Sequence, residues 1–151
     1  PSLDDGFMDK AAAPGTGMGS LRTVLYVEDN PANLDLVSQL IGRRPDLRML
    51  GAVDAIQGLQ MAHDHLPSVV LMDINLPGIS GIEALSLLRK DPQTAHIPVV
   101  AISANAMVGD IKKGLEAGFF RYLTKPINIV EFMDTLDVAL ASAGSTSTNT
   151  K

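Results

Sequence analysis

Apolar residues fall into two rhythms along this chain. Val24-Leu25-Tyr26-Val27, Val69-Val70-Leu71-Met72 and Val99-Val100-Ala101-Ile102 are short uninterrupted runs. Such runs suit strands covered on both faces, as in a parallel sheet. Met49 to Val53 and Phe119 to Thr124 are weaker strand candidates. Between the runs, apolar positions recur at helical spacing. Leu34, Val37 and Ile41 mark a first helix, and Ala55, Leu59, Ala62 and Leu66 a second. Ile82, Leu85 and Leu88 mark a third, Met107, Ile111 and Leu115 a fourth, and Ile129, Phe132, Leu136 and Leu140 a fifth. The pattern predicts an α/β fold: a doubly wound, five-stranded parallel sheet with five helices.

The punctuation between elements agrees. Asn30 followed by Pro31 reads as a helix cap and a first helical position. Ser80 with Glu83 reads as a capping box, and Asn128 with Glu131 as its Asn-headed variant. Asp54 reads as the cap of the second helix. Leu76-Pro77-Gly78 suits a type II turn. Gly109 and Gly114 weaken the fourth helix, glycine being a poor helix former.

The ends of the chain differ from its middle. Residues 1–20 are rich in Gly, Ala, Asp and Pro and read as a flexible linker. Gly15-Thr16-Gly17-Met18-Gly19 looks like a phosphate loop, but it precedes the first strand instead of following one, so the linker reading holds. Residues 143–151 are polar and read as a flexible tail. The acidic start lacks a signal-peptide pattern. Pro1 stands where an initiator Met is expected, which suggests a piece of a larger chain.

Composition narrows the function classes. The chain has 151 residues, enough for one domain, and 46% are hydrophobic, enough for a sizeable core. A formal net charge of -5 argues against a general electrostatic grip on nucleic acid or an anionic membrane. With no cysteine, disulfides, thiolate metal sites and cysteine nucleophiles are impossible. The absence of cysteine fits a cytoplasmic location. No apolar run is long enough for a membrane span.

In an open α/β sheet, ligands bind beyond the carboxyl ends of the strands. The first strand ends in Glu28-Asp29, the third in Asp73, the fourth in Ser103 and the fifth in Thr124-Lys125. Each taken alone has an ordinary explanation as a cap, a turn residue or a solvated side chain. Their joint placement on one edge is another matter. Two carboxylates about 4 Å apart repel by about 4 kcal/mol at an effective dielectric near 20. Three acids together need a cation or must take up protons. Hard oxygen ligands favour Mg²⁺. An oxygen site with Mg²⁺, a lysine and a hydroxyl suits a phosphoryl group, and an Asp carboxylate is a feasible phosphoryl acceptor. His63, His65 and His96 do not compete as a metal site. His63 and His65 are two apart and share no helix face.

These residues resemble the receiver domains of two-component and phosphorelay signalling. The match runs from Leu21 to Ala141, giving a receiver domain over residues 21–142. It is carried by Val24-Leu25-Tyr26-Val27-Glu28-Asp29-Asn30 and Leu71-Met72-Asp73-Ile74-Asn75-Leu76-Pro77-Gly78-Ile79-Ser80-Gly81. It continues through Val99-Val100-Ala101-Ile102-Ser103-Ala104 and Tyr122-Leu123-Thr124-Lys125-Pro126. Ala104-Asn105-Ala106-Met107 and Gly109-Asp110 look like receivers of hybrid histidine kinases or single-domain response regulators.

The resemblance implies a flavodoxin-like sheet of order 2-1-3-4-5. It implies that Asp73 accepts a phosphoryl group, and that Mg²⁺ or Mn²⁺ is held by Asp29, Asp73 and the backbone carbonyl of Asn75, with Glu28 acting through water. Lys125 would pair with the phosphoryl group. Ser103 would hydrogen-bond it, and Tyr122 would move inward as Ser103 shifts. The donor would be a histidine kinase or a histidine phosphotransfer domain. A downstream protein would meet the face of the fourth helix, fifth strand and fifth helix, which Gly109 and Gly114 would make easy to reshape. Neither nucleic acid nor membrane would be contacted directly. The resemblance also implies a cis Lys125-Pro126 bond. Glu28 replaces a commoner Asp, and Arg121 stands where an acid is usual. Asn75 and Asn105 would tune how fast water attacks the phosphoaspartate.

The domain would be a regulatory acceptor, releasing its phosphoryl group only slowly. A Mg²⁺-dependent phosphatase with an aspartyl nucleophile is the alternative. It wants a second Asp two residues after the nucleophile, and Asn75 stands there, leaving no general acid.

Overall fold

The computed structural model describes residues 21–105 and 107–149, with side chains to residue 142. The expected linker over residues 1–20, with its phosphate-loop look-alike, lies outside the described residues, as do Ala106 and the last two residues. The elements alternate as the apolar rhythm requires: β1 (Arg22–Val27), α1 (Pro31–Gly42), β2 (Leu47–Ala52), α2 (Ala55–His65), β3 (Val69–Asp73). They continue with α3 (Gly81–Lys90), β4 (Val99–Ser103), α4 (Val108–Ala117), β5 (Arg121–Thr124) and α5 (Ile129–Asn149). The five strands form one sheet in the order β2-β1-β3-β4-β5. Every pairing is parallel.

β3 and β4 are buried at every residue, which is why their sequences show no alternation. Their side chains nonetheless divide between two faces. Val24, Tyr26, Leu71 and Ile102 pack on one face with Val37 and Ile41 of α1 and Phe132 and Leu136 of α5. Leu25, Val27, Val70 and Ala101 pack on the other with Ala55 and Ala62 of α2 and Leu85 and Leu88 of α3. Each fully buried side chain of this size contributes roughly 1.5–3 kcal/mol.

The expected caps are made. Asn30 Oδ1 accepts from the Ala32 amide at 2.8 Å, and Asp54 Oδ1 from the Gln57 amide at 2.8 Å. Ser80 Oγ accepts from the Glu83 amide at 3.2 Å, and Asn128 Oδ1 from the Glu131 amide at 3.0 Å. Gly78 has φ +80°, the left-handed position a type II turn needs. The Lys125-Pro126 peptide is cis.

Two features go beyond the expectations. α5 runs on as continuous helix to Asn149, through the segment read as a tail. The residues leading into it, Ala139-Leu140-Ala141, are strong helix formers and no proline stops them. The stripe Met107, Ile111 and Leu115 does not face the core. Met107 is 74% exposed and Leu115 46%, and the one buried residue of α4 is Gly114. The periodicity is real, but its apolar side looks outward. Among the described residues no helix is long and apolar enough to cross a membrane.

Candidate functional site

Parallel strands all deliver their carboxyl ends to one edge, so the last residues of β1, β3, β4 and β5 are brought together there. In-register pairing sets Asp73 beside Ile102 and Ser103 beside Thr124. Glu28 follows β1 directly and is 1% exposed, Asp73 is 4% exposed, and Asp29 is exposed. One carboxylate oxygen from each of Glu28, Asp29 and Asp73 lies within 4.8 Å of the others.

Lys125 reaches into this cluster from beyond β5. Its Nζ lies 3.0 Å from Glu28 Oε1 and 3.1 Å from Asp73 Oδ2. The Lys125 amide also donates to the Ser103 carbonyl at 2.8 Å, tying the base of the side chain to β4. The Asn75 amide donates to Asp73 Oδ1 at 3.0 Å. Gly81 closes the same wall. A Cβ there would lie 2.7 Å from Ile74 Cα and 3.0 Å from the Asp73 carbonyl, so no side chain fits.

One lysine facing two acids does not serve both equally. Burial raises the Asp73 pKa, and the neighbouring Glu28 charge adds to this, against the Asn75 amide and Lys125. Burial also pushes Glu28 upward, but hydrogen bonds from Lys125, Tyr26 and the Asn30 amide outweigh it, leaving its pKa below the ordinary value. Burial alone would lower Lys125, yet its bonds to Glu28 and Asp73 raise it. Glu28 and Lys125 therefore stay charged, while Asp73 is the acid left short of compensation. This is a pocket that a divalent cation would complete, and its oxygen donors fit one.

Ser103 is fully buried, and its Oγ accepts from the Asn105 amide at 3.0 Å and from Asn75 Nδ2 at 3.3 Å. Tyr122 is half-buried and donates from its hydroxyl to the Asn105 carbonyl at 3.0 Å. Its ring lies against α4. A Cβ on Gly114 would meet Tyr122 Cδ2 at 2.7 Å. Gly114 is thus required by close approach, which the reading of it as a simple weak point in the helix did not foresee.

Tyr26 was not foreseen at the site. Its hydroxyl, in the fully buried core, donates to Glu28 Oε1 at 2.8 Å. Burial, then the Glu28 charge, pushes the phenol far above its usual range, so it remains an O–H donor. The available signal was a tyrosine in an aliphatic strand, two residues before the acid and so on its face. Arg121 lies away from the acids and meets Asp134 of α5 at 3.4 Å. The histidines are exposed. His63 pairs with Asp91 at 2.9 Å, and among the described residues the one acidic or histidine cluster fit for a metal is Glu28, Asp29 and Asp73.

Comparison with known proteins agrees with this geometry. Residues 24–137 match the response regulator receiver domain family. The polar-differentiation response regulator DivK of Brucella anthropi is 35% identical over 122 residues, covering 81% of this chain and 98% of the relative. The receiver domain of the Pseudomonas aeruginosa sensor histidine kinase PA1611, solved with a magnesium ion coordinated in its active site cleft, is 30% identical with TM-score 0.73. That match covers 81% of this chain and 99% of that one. A CheY-like receiver domain protein of Methanospirillum hungatei, 24% identical, shares the fold with TM-score 0.76 over 84% of this chain and 99% of its own. The sheet order, the acidic edge and these likenesses converge: the chain belongs to the response regulator receiver domains, the phosphoacceptor switches of two-component signalling.

Proposed function

We propose that Asp73 is the phosphoacceptor, taking a phosphoryl group from a phosphohistidine on a histidine kinase or a histidine phosphotransfer domain. The observation that carries this is the meeting of three carboxylates within 4.8 Å beside a lysine that Asp73 shares with Glu28. Asp29, Asp73 and the backbone carbonyl of Asn75 would hold Mg²⁺ or Mn²⁺. Glu28, whose oxygens already accept from Tyr26, Lys125 and the Asn30 amide, would reach it through water. When bound, the cation offsets charge on the phosphoryl oxygens.

In the transfer, an Asp73 oxygen forms the new O–P bond as the N–P bond of the phosphohistidine breaks. The imidazole leaves with that electron pair and takes up a proton. Lys125 pairs with one phosphoryl oxygen, and Ser103 donates to another.

The switch follows from what Ser103 holds before transfer. Turning its hydroxyl toward the phosphoryl group pulls on Asn105, and Asn105 carries the acceptor of the Tyr122 hydroxyl. Tyr122 is then released to pack inward, and the face of α4, β5 and α5 changes shape. A full shift from 1:99 to 99:1 needs about 5.5 kcal/mol of differential stabilisation, within reach of several charge-assisted hydrogen bonds. Val108, 81% exposed, and Val130, 80% exposed, give that face the apolar character of a docking surface for a downstream protein. The chain would act in the cytoplasm as a regulatory acceptor with slow self-dephosphorylation. The phosphatase reading is not favoured: Asn75 has an amide where that chemistry needs an acid.

The test is incubation with acetyl phosphate and Mg²⁺, read by intact mass. The wild type gains one base-labile phosphoryl group and Asp73→Asn gains none. Equal labelling of both proteins would overturn the assignment.

A further inference from the structure

A glutamate is a loose tether for a lysine. It has three side-chain torsions, and Glu28 sits at a strand end where its carboxylate could turn toward Asp29, Asp73 or Lys125. Its two oxygens are held unequally. Oε2 accepts from the Asn30 amide at 3.2 Å, a long bond, and Oε1 from the Tyr26 hydroxyl at 2.8 Å, a short one. That same Oε1 faces Lys125 Nζ at 3.0 Å, and the lysine in turn faces Asp73 at 3.1 Å. Tyr26 itself is fully buried in the cluster that holds Val24, Leu71 and Ile102 on the α1 and α5 side of the sheet. A line of hydrogen bonds therefore runs from a buried ring in the core, through Glu28, to the lysine beside Asp73.

We propose that Tyr26 is a positioning residue for phosphoryl transfer: its hydroxyl aims Glu28 Oε1 at Lys125, so that the lysine is held against Asp73. This rests on the reading of Asp73 as phosphoacceptor. The longer reach of Glu28 is what lets it meet a donor inside the core and the lysine at the rim together. An aspartate there would be one methylene too short to do both. Without the hydroxyl, Oε1 has only the lysine to orient it, and the carboxylate is left to that contact and the long bond from the Asn30 amide. Tyr26 touches neither Asp73 nor Lys125 in the hydrogen-bond network and acts only through Glu28.

The experiment is a double-mutant cycle of Tyr26→Phe and Glu28→Asp, in the full chain with acetyl phosphate and saturating Mg²⁺. Melting temperature and the Mg²⁺ dissociation constant are measured on each protein. Tyr26→Phe keeps the ring and its packing. The initial rate of Asp73 labelling is expected to fall about tenfold in the wild-type background, as for loss of one hydrogen bond to a charged group. It is expected not to change further in the Glu28→Asp background. A second readout needs neither cation nor donor. Proton exchange at the Lys125 ammonium, followed by NMR, speeds up in Tyr26→Phe. Equal slowing in both backgrounds would make Tyr26 a packing residue only and overturn the proposal, as would an unchanged rate with unchanged exchange. Failure of the underlying reading is distinguishable: the wild type itself would not be labelled at Asp73.

Discussion

α3 and α4 are helices of 10 residues each, lying on the same side of the sheet, and they are held very differently. α3 is capped by Ser80 and buries Gly81, Ala84, Leu85 and Leu88. α4 has no side-chain cap and buries Gly114 alone. Both sequences carry an amphipathic stripe, so periodicity does not separate them. Their surroundings do. α3 sits over Asp73 and closes the wall of the acidic pocket through Gly81, where any movement would spoil the site. α4 packs against α3 and β5, and its Gly114 lies close to Tyr122 and Phe119, the first of which is tied to the loop that follows Ser103. One helix is anchored in the core and the other is lightly held, which is the division the proposed switch requires.

The largest expected effect tests the anchoring directly. Leu85→Ala removes a buried α3 side chain and should cost about 2–5 kcal/mol in urea unfolding. Leu115→Ala, on the exposed side of α4, should stay within about 0.5 kcal/mol. Similar losses at both positions would erase the contrast. Next, Gly114→Ala forces a methyl group into the Tyr122 ring and should destabilise the fold by about 1–3 kcal/mol. Combined with Tyr122→Ala, that cost should shrink, because the clash partner is gone. Strict additivity would mean that the two residues do not meet.

The smallest effect lies away from both helices. Arg44 bridges Asp46 at 3.0 Å and Asp137 of α5 at 2.9 Å, joining the loop after α1 to the last helix. Hydrogen bonding from Arg44 holds the Asp46 pKa below its ordinary value. A depressed carboxyl pKa contributes stability above the unfolded value near 3.9, and loses it as pH falls through the folded one. Both side chains are partly exposed, so Asp46→Asn should cost under about 1 kcal/mol at pH 7. The gap from the wild type should close below about pH 4. A gap that widens in acid would contradict the pairing.

Much of the pocket was legible beforehand because strand direction does the assembly. Once Val69 to Met72 and Val99 to Ile102 are read as parallel strands, their next residues, Asp73 and Ser103, must emerge on one edge. The facing of α4 was not legible. A stripe such as Met107, Ile111 and Leu115 states that a helix has an apolar side, not which way that side looks. Gly114 shows the same limit from the other direction. Sequence gives a glycine as weak helix former, and only the approach of Tyr122 shows it to be a contact. Tyr26 was hidden for a third reason: a tyrosine in a buried strand reads as core, and its hydroxyl matters only once Glu28 is found within reach.

The most direct test is hydrogen exchange at the amides of α3 and α4, measured on the same sample with and without acetyl phosphate and Mg²⁺. Labelling should alter exchange across Val108–Ala117 and leave Gly81–Lys90 as it was, with no change in Asp73→Asn. A labelled protein in which α4 keeps its exchange rates, or in which both helices change alike, would contradict the account.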